Sequence, residues 1–224
     1  MILLGTMING IAIVAGGVLG MLVGKLLPER LRSSLMSALA LVVIGIAVPG
    51  LMKDVNSLVP ILSMVIGTII GEMLNIEGAM NRLGEAMQRR FSGAPVTEGF
   101  VTGSLVFAVG AMAIMGALES GLQQQHTILI SKSVIDGVSA LVFASTMGLG
   151  VALSAVTVVV LEGSVALLAS VIAPYLGDMV VNSITVVGSL LIVAIGLNVM
   201  GVTKLRILNM VPAVFLPILL CQFM

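Results

Sequence analysis

Residues 8–24 read INGIAIVAGGVLGMLVG, and residues 161–177 read LEGSVALLASVIAPYLG. The two stretches align without a gap, so that Asn9 faces Glu162 and glycines coincide at the third and last positions. Each stretch is apolar, is close to the length that crosses a bilayer as a helix, and has one strongly polar side chain near its start. The pair therefore predicts an all-helical membrane protein whose two ends resemble each other.

The composition is that of an integral membrane protein. Of 224 residues, 59% are hydrophobic and 9% are charged, whereas a soluble domain carries about 25% charged residues. Apolar stretches of membrane-spanning length recur along the whole chain, which leaves no room for a soluble domain and no basic stretch for nucleic acid. The lone Cys221 excludes a disulfide framework and a thiol metal site. The lipid bilayer is the expected partner, and no cofactor is expected.

The polar residues, prolines and glycines that interrupt the apolar stretches predict an all-α bundle of eight transmembrane helices. The least secure boundary separates the fifth helix from the sixth, at MGLG (residues 147–150). The first segment has no basic region before its apolar run, so we expect a retained helix and not a cleaved signal. The predicted helices cover residues 2–26, 34–52, 57–76, 99–119, 128–148, 151–174, 182–201 and 206–223.

The cations support an even number of crossings. Only Lys53 and Lys132 lie on one side of the predicted membrane. The other side receives Lys25, Arg30, Arg32, Arg82, Arg89, Arg90, Lys204 and Arg206. An excess of Lys and Arg marks the cytoplasmic side, so both termini are expected outside. Residues 77–98 form the one sizeable cytoplasmic loop, which is predicted to be amphipathic.

The order of the helices predicts an inverted-topology repeat. Residues 41–53 match residues 191–204, so the first three helices resemble the last three. Each helix stands five places before its partner in chain order, so partners cross the membrane in opposite directions. LVFA occurs at residues 105–108 and again at 141–144, which pairs the fourth helix with the fifth. Secondary transporters commonly have this architecture, with a site near the bilayer midplane. The prediction is one transmembrane domain, 1–224, made of repeat A (1–76), the loop (77–98), central helices (99–150) and repeat B (151–224).

Glycines have two predicted roles. Those of the central helices predict irregular backbone facing protein or a watery cavity, with close helix contact as the alternative; they are Gly110, Gly116, Gly148 and Gly150. Those spaced by four predict tight helix packing, within one subunit or between copies in a homo-oligomer; they are Gly16, Gly20, Gly24, Gly67 and Gly71.

Polar groups inside apolar segments are the candidates for a solute or ion pathway. A charged side chain at a helix centre costs about 2.5–3.5 kcal/mol, so a chain that keeps one pairs it or uses it. The candidates are Asp136, Lys132, Glu162, Asn9, Glu119 and Ser133.

Three of these candidates have open alternatives. Lys132 and Asp136 are one turn apart in SKSVIDG (residues 131–137), so they form a structural pair, or else Asp136 is a cation or proton site. Glu162 has no cation in its own helix. It is protonated, pairs with Lys132 across the bundle, or faces water.

Enzyme chemistry has no support in the sequence, because metalloprotease, nucleophile-elbow, P-loop and dinucleotide motifs are absent. The sixteen methionines are scattered and His126 stands in a polar loop, so no metal site is expected. The expected function is transport of a small solute or ion, with an ion channel and a non-transporting scaffold or accessory subunit as alternatives.

Three stretches resemble the YdfK/YqgA family of bacterial multi-pass membrane proteins of unknown function. They are GTMINGIAIVAGGVLG (5–20), GAMAIMGALESGL (110–122) and SKSVIDGVSALVFASTMGLGVALSA (131–155). The resemblance covers essentially the whole chain and implies a bacterial inner-membrane protein. Similar proteins are expected to carry Gln where this chain has Glu162, so the resemblance implies a polar residue there, not an obligatory carboxylate.

Overall fold

A computed structural model describes residues 1–24, 26, 28–79, 82, 96–108 and 111–223, and within these ranges the regular elements are all helical. The main helices are α1 (Leu4–Gly24), α2 (Glu29–Leu51), α3 (Leu58–Leu74), α4 (Val96–Ala108), α5 (Ala111–Gln123), α6 (Thr127–Met147), α7 (Leu149–Leu167), α8 (Ala169–Ile172), α9 (Asp178–Val199), α10 (Ile207–Met210) and α11 (Pro217–Leu220). Short 3-10 turns follow α8 and α10, at Ala173–Tyr175 and Val211–Val214.

The described helices confirm the predicted all-α membrane fold. Five of them, α1, α2, α6, α7 and α9, are long and apolar enough to cross a membrane. Helices α4 and α5 together form a sixth candidate span, which is bent by 59°. Shorter apolar helices at Leu58–Leu74 and Ile207–Leu220 occupy the positions of the third and eighth predicted spans. The protein is therefore a membrane protein with several apolar helices.

Several predicted spans are not continuous helices. The fourth divides into α4 and α5, and the sixth continues beyond α7 only as α8 and a 3-10 turn. The eighth is the most interrupted, because Pro212 and Pro217 lack the backbone N–H that a continuous helix needs. Each break frees backbone carbonyls that need other partners.

The helices group into two compact units. Unit 1 comprises residues 1–35 and 86–174, and unit 2 comprises residues 36–85 and 175–224. Each unit therefore combines segments from distant parts of the chain. The boundaries of repeats A and B stay a prediction. Residues 80, 81 and 83–95 of the predicted amphipathic loop lie outside the described residues.

Unit 1 is organised around α1. The backbone of Gly16, Gly20 and Gly24 lies so close to α6 that an added Cβ would overlap carbonyl oxygens there, those of Gly137, Leu141 and Ser145 in turn. Both series rise by four residues, so α1 and α6 run parallel. This close backbone approach is what glycines at every fourth position permit.

Helix α7 lies against another side of α1 in the opposite direction. Gly17 meets Ala152, whereas Gly10 meets the side chain of Val159. Helix α4 in turn runs parallel to α7, since Gly150 approaches the backbone of Val96 at the start of both helices. The Ser104 hydroxyl donates to Thr157 Oγ1 at 3.0 Å further along.

Unit 2 has the same kind of glycine seam. In α3, Gly67 lies against the backbone of Ala213, and Gly71 lies against the carbonyl of Asn209. Asn209 is fully buried, and its Oδ1 accepts a hydrogen bond from the backbone N–H of Glu77 at 2.8 Å. Burial raises the pKa of Glu77 above its ordinary value, against the lowering effect of the nearby Arg206.

The described central glycines include both predicted alternatives, irregular backbone and close helix contact. Gly148 does leave the helical conformation, with φ of 73°, and it is the single residue between α6 and α7. Gly116 and Gly150 lie inside helices, where Gly116 contacts the Leu129 side chain and Gly150 contacts backbone. At these two positions the absence of a Cβ permits close packing, and the helix continues through the glycine. Gly110 lies outside the described residues.

Candidate functional site

Four of the six predicted pathway residues meet inside unit 1. They are Asn9 of α1, Lys132 and Asp136 of α6, and Glu162 of α7. We call these four residues the charged cluster. Their exposed fractions are 0%, 7%, 6% and 2%. The charged cluster is therefore closed off from its surroundings, although it contains three ionisable groups.

Asn9 joins the two acidic side chains. Its amide nitrogen donates to Asp136 Oδ2 at 3.0 Å and to Glu162 Oε1 at 3.0 Å. Both hydrogens of the Asn9 amide are thus used, one on each carboxyl group. The alignment of residues 8–24 with residues 161–177 placed Asn9 opposite Glu162, and the structure brings these side chains into contact.

Lys132 is the only cation of the charged cluster. Its ammonium group donates to Asp136 Oδ2, which lies one helical turn away, and it lies 3.6 Å from Glu162 Oε1. The two pairings proposed for this lysine therefore occur together. One ammonium faces two carboxyl groups.

The ammonium of Lys132 also reaches the break between α4 and α5. It donates to the backbone carbonyl oxygen of Phe107 at 2.6 Å. Phe107 lies in the last turn of α4, where carbonyl groups lack partners within the helix and the helix dipole is negative. The lysine therefore supplies a charged donor to a carbonyl group in the last turn of α4 and stabilises that helix end. Sequence reasoning did not find this contact, because it depends on where α4 ends.

Two acceptor atoms of the charged cluster have no hydrogen-bond partner within the part of the chain that the structure describes. Asn9 Oδ1 and Glu162 Oε2 are buried without a hydrogen bond. Thr6 Oγ1, one turn before Asn9 on α1, is also buried without a partner. Sequence reasoning missed Thr6, although its position on the same helical face as Asn9 was a signal for it.

The other two predicted pathway residues lie apart from the charged cluster. Glu119 Oε2 accepts a hydrogen bond from the backbone N–H of Ile128 at 3.1 Å, which satisfies a free donor in the first turn of α6. The Ser133 hydroxyl donates to the Ile130 carbonyl of its own helix at 2.7 Å. Both side chains are thus bonded to nearby backbone, and their place in a pathway stays a prediction.

A metal site has no support among the residues that the structure describes. No group of three or more His, Cys, Asp or Glu side chains there has the arrangement to hold a metal ion. His126 instead contacts Ser120, with 2.9 Å between the Ser120 hydroxyl and His126 Nδ1.

A family model described as "Protein of unknown function (DUF554)" matches residues 4–222. The chain belongs to the DUF554 family. This DUF554 protein is 31% identical over 217 residues to "Uncharacterized membrane protein YdfK" of Bacillus subtilis, covering 95% of this chain and 93% of that protein. It is 30% identical over 220 residues to "Uncharacterized protein YqgA" of Escherichia coli, covering 95% and 94%. These matches confirm the resemblance seen in the sequence. No solved structure matches this DUF554 protein.

Proposed function

We propose that this protein is a carrier that moves a small solute or ion across the bacterial plasma membrane, and that the charged cluster is its binding or coupling site. The observation that carries the proposal is one ammonium and two carboxyl groups, each no more than 7% exposed, inside apolar helices. A structural ion pair needs one carboxylate. The second carboxyl group leaves an excess negative charge, which is costly at this depth and typical of sites that bind a substrate or an ion.

The burial of the charged cluster favours a carrier over a channel. A channel holds its polar residues against a continuous water path, whereas alternating access includes states in which the site is closed from both sides. The low exposure of all four residues agrees with such a closed state. The proposal places both termini on the outer side of the membrane. It involves neither covalent chemistry nor nucleic acid.

Contacts between α1 and α7 support the inverted repeat as part of the proposal. The alignment of the two stretches makes residue 10 equivalent to 163, and extending it by two residues at its start makes residue 6 equivalent to 159. Gly10 packs on Val159, and Thr6 lies beside Gly163. Exchanging each residue for its equivalent converts one contact into the other, as a twofold axis between the helices would.

Two further contacts are their own equivalents under this symmetry. Asn9 is bonded to Glu162, its partner in the alignment. Phe107 and Phe143, the third residues of the two LVFA segments, have ring centroids 6.1 Å apart. A contact between equivalent residues lies on the axis. The charged cluster would therefore occupy the position at which inverted repeats commonly bind their substrates.

The proposal predicts that Asp136→Asn abolishes transport. We expect purified protein in liposomes to give solute-dependent currents on a solid-supported membrane, in a screen of sodium, potassium and ammonium salts, amino acids and short carboxylates. Asp136→Asn should reduce the current at least about tenfold, since a fully buried charge partner contributes more than the 1.4 kcal/mol that corresponds to a factor of ten.

Asp54→Asn is the matched control, because Asp54 is exposed in the turn after α2. It should leave the currents unchanged. Both variants need the wild-type elution profile in size-exclusion chromatography. Equal currents from wild-type protein, Asp136→Asn and protein-free liposomes across the whole screen would contradict transport and favour a scaffold.

A further inference from the structure

The contact between Asn9 and Glu162 is incomplete in a particular way. A carboxamide and a carboxyl group each have two polar atoms, and here one pair is joined, Asn9 Nδ2 to Glu162 Oε1 at 3.0 Å. The other pair, Asn9 Oδ1 and Glu162 Oε2, consists of two buried acceptors without a donor. Burying a polar atom without a hydrogen bond is unfavourable, so both atoms need an explanation.

One proton on Glu162 would satisfy both atoms. A protonated Oε2 is a donor, and Asn9 Oδ1 is an acceptor on the group to which Glu162 is already joined. The acid and the amide would then share two hydrogen bonds in a ring. The same proton would remove the excess negative charge and leave Lys132 and Asp136 as a neutral ion pair.

We propose that Glu162 carries an exchangeable proton, held between its Oε2 and Asn9 Oδ1, and that this proton is the coupling ion of the carrier. The inference rests on the proposed function for the coupling role only. When the site opens, the O–H bond of Glu162 breaks and its proton passes to water. The Lys132 ammonium, 3.6 Å from Glu162 Oε1, then faces both carboxylates, and the net negative charge of the open site is stabilised by water.

The neighbouring helices add no other charge to this site. Helix α1 has no charged residue, and α7 has Glu162 alone. The only charged residue of α4 is Glu98, in its first turn, whereas the Phe107 carbonyl that binds Lys132 is at its other end. Glu119 of α5 is bonded to the N–H of Ile128. Lys132 and Asp136 of α6 are therefore the charged groups that face Glu162.

Replacing Glu162 with glutamine tests the role of the proton separately from the role of the hydrogen bonds. The glutamine Oε1 accepts from Asn9 Nδ2 as the carboxyl does, and its amide nitrogen donates to Asn9 Oδ1 in place of the proton. Glu162→Gln should thus keep the hydrogen bonds and the neutral cluster but have no proton to release. The matched control is Glu98→Gln, because Glu98 is exposed.

Infrared difference spectroscopy of purified protein tests the inference without a transported solute. Wild-type protein at neutral pH should show the C=O band of a protonated carboxylic acid, and labelling with 13C-glutamate should shift this band. The band should be lost in Glu162→Gln and kept in Glu98→Gln. It should also be lost in Asp136→Asn, because Lys132 then has Glu162 as its one counter-ion. A band that persists in Glu162→Gln would assign the proton to another glutamate and would overturn the inference.

The labelled wild-type spectrum decides the matter even if a variant fails to fold. The absence of a protonated glutamate band at neutral pH would overturn the proton site. Solute-dependent currents without this band would leave the proposed function standing and remove the inference. The band without currents, across the solute screen described above, would leave the proton site and remove the carrier.

Discussion

Replacing Lys132 with methionine is expected to lower the free energy of unfolding by about 3–5 kcal/mol, the range for removing one partner of a buried ion pair. Methionine fills a similar space but leaves Asp136 and Glu162 together without a cation. It also leaves the Phe107 carbonyl without its donor at the end of α4. Chemical or thermal unfolding in detergent, followed by circular dichroism, measures the loss.

Two companion variants test the cause of this loss. Lys53→Met removes an exposed lysine and should change the free energy of unfolding by no more than about 0.5 kcal/mol. Lys132→Met combined with Asp136→Asn removes one uncompensated carboxylate and should recover about 1–3 kcal/mol relative to the single variant. Strictly additive losses would show that Lys132 stabilises the fold through packing and not through its charge.

Gly20→Val should destabilise the protein by about 3 kcal/mol, at the upper end of the usual cost of overpacking. An added Cβ at Gly20 would overlap the carbonyl oxygen of Leu141 on α6, and a backbone atom cannot rotate away as a side chain does. Helices α1 and α6 would have to separate, which would also pull Asn9 from the carboxyl groups that it bonds. The same unfolding measurement applies.

Gly45→Val in α2 is the matched control for this glycine. An added Cβ at Gly45 meets nothing within 4 Å, so the change should stay within about 0.5 kcal/mol. A loss at Gly45 equal to that at Gly20 would show that the effect comes from the helical propensity of valine. The close approach of α1 to α6 would then have no special importance.

The charged cluster could be predicted because its members are costly where they stand. Lys132, Asp136 and Glu162 each lie in a segment otherwise apolar enough to cross a membrane, and the physical cost of isolated charges there favours mutual contact. The gap-free alignment added Asn9. Pairing of Lys132 with Asp136 and pairing with Glu162 were each one of several alternatives, and the sequence did not decide between them.

The rest of the site depends on geometry that residue types do not reveal. The contact of Lys132 with the Phe107 carbonyl requires α4 to end at Ala108. Gly110 predicts irregular backbone nearby, but it does not tell at which residue the helix ends or which way the chain then turns. The two free acceptors of Asn9 and Glu162 depend on side-chain rotation. Gly116 and Gly150 show the opposite case, because a small residue permits both unwinding and close packing, and the neighbouring helix decides between them.

Gly148 restricts how the charged cluster can open. This one residue joins helices α6 and α7. Lys132 lies about 24 Å from it along α6, at 1.5 Å per residue. Lys132 and Glu162 thus lie on different helices of this pair, both far from the residue that joins them. A rotation of about 10° between the two helices at Gly148 would move Lys132 by about 4 Å relative to α7, given this distance. Helix α1 would move with α6, because its glycines approach backbone carbonyl groups along that helix. Its close backbone contact with α7, at Gly17 and Ala152, lies near Gly148, and farther away Gly10 meets the Val159 side chain.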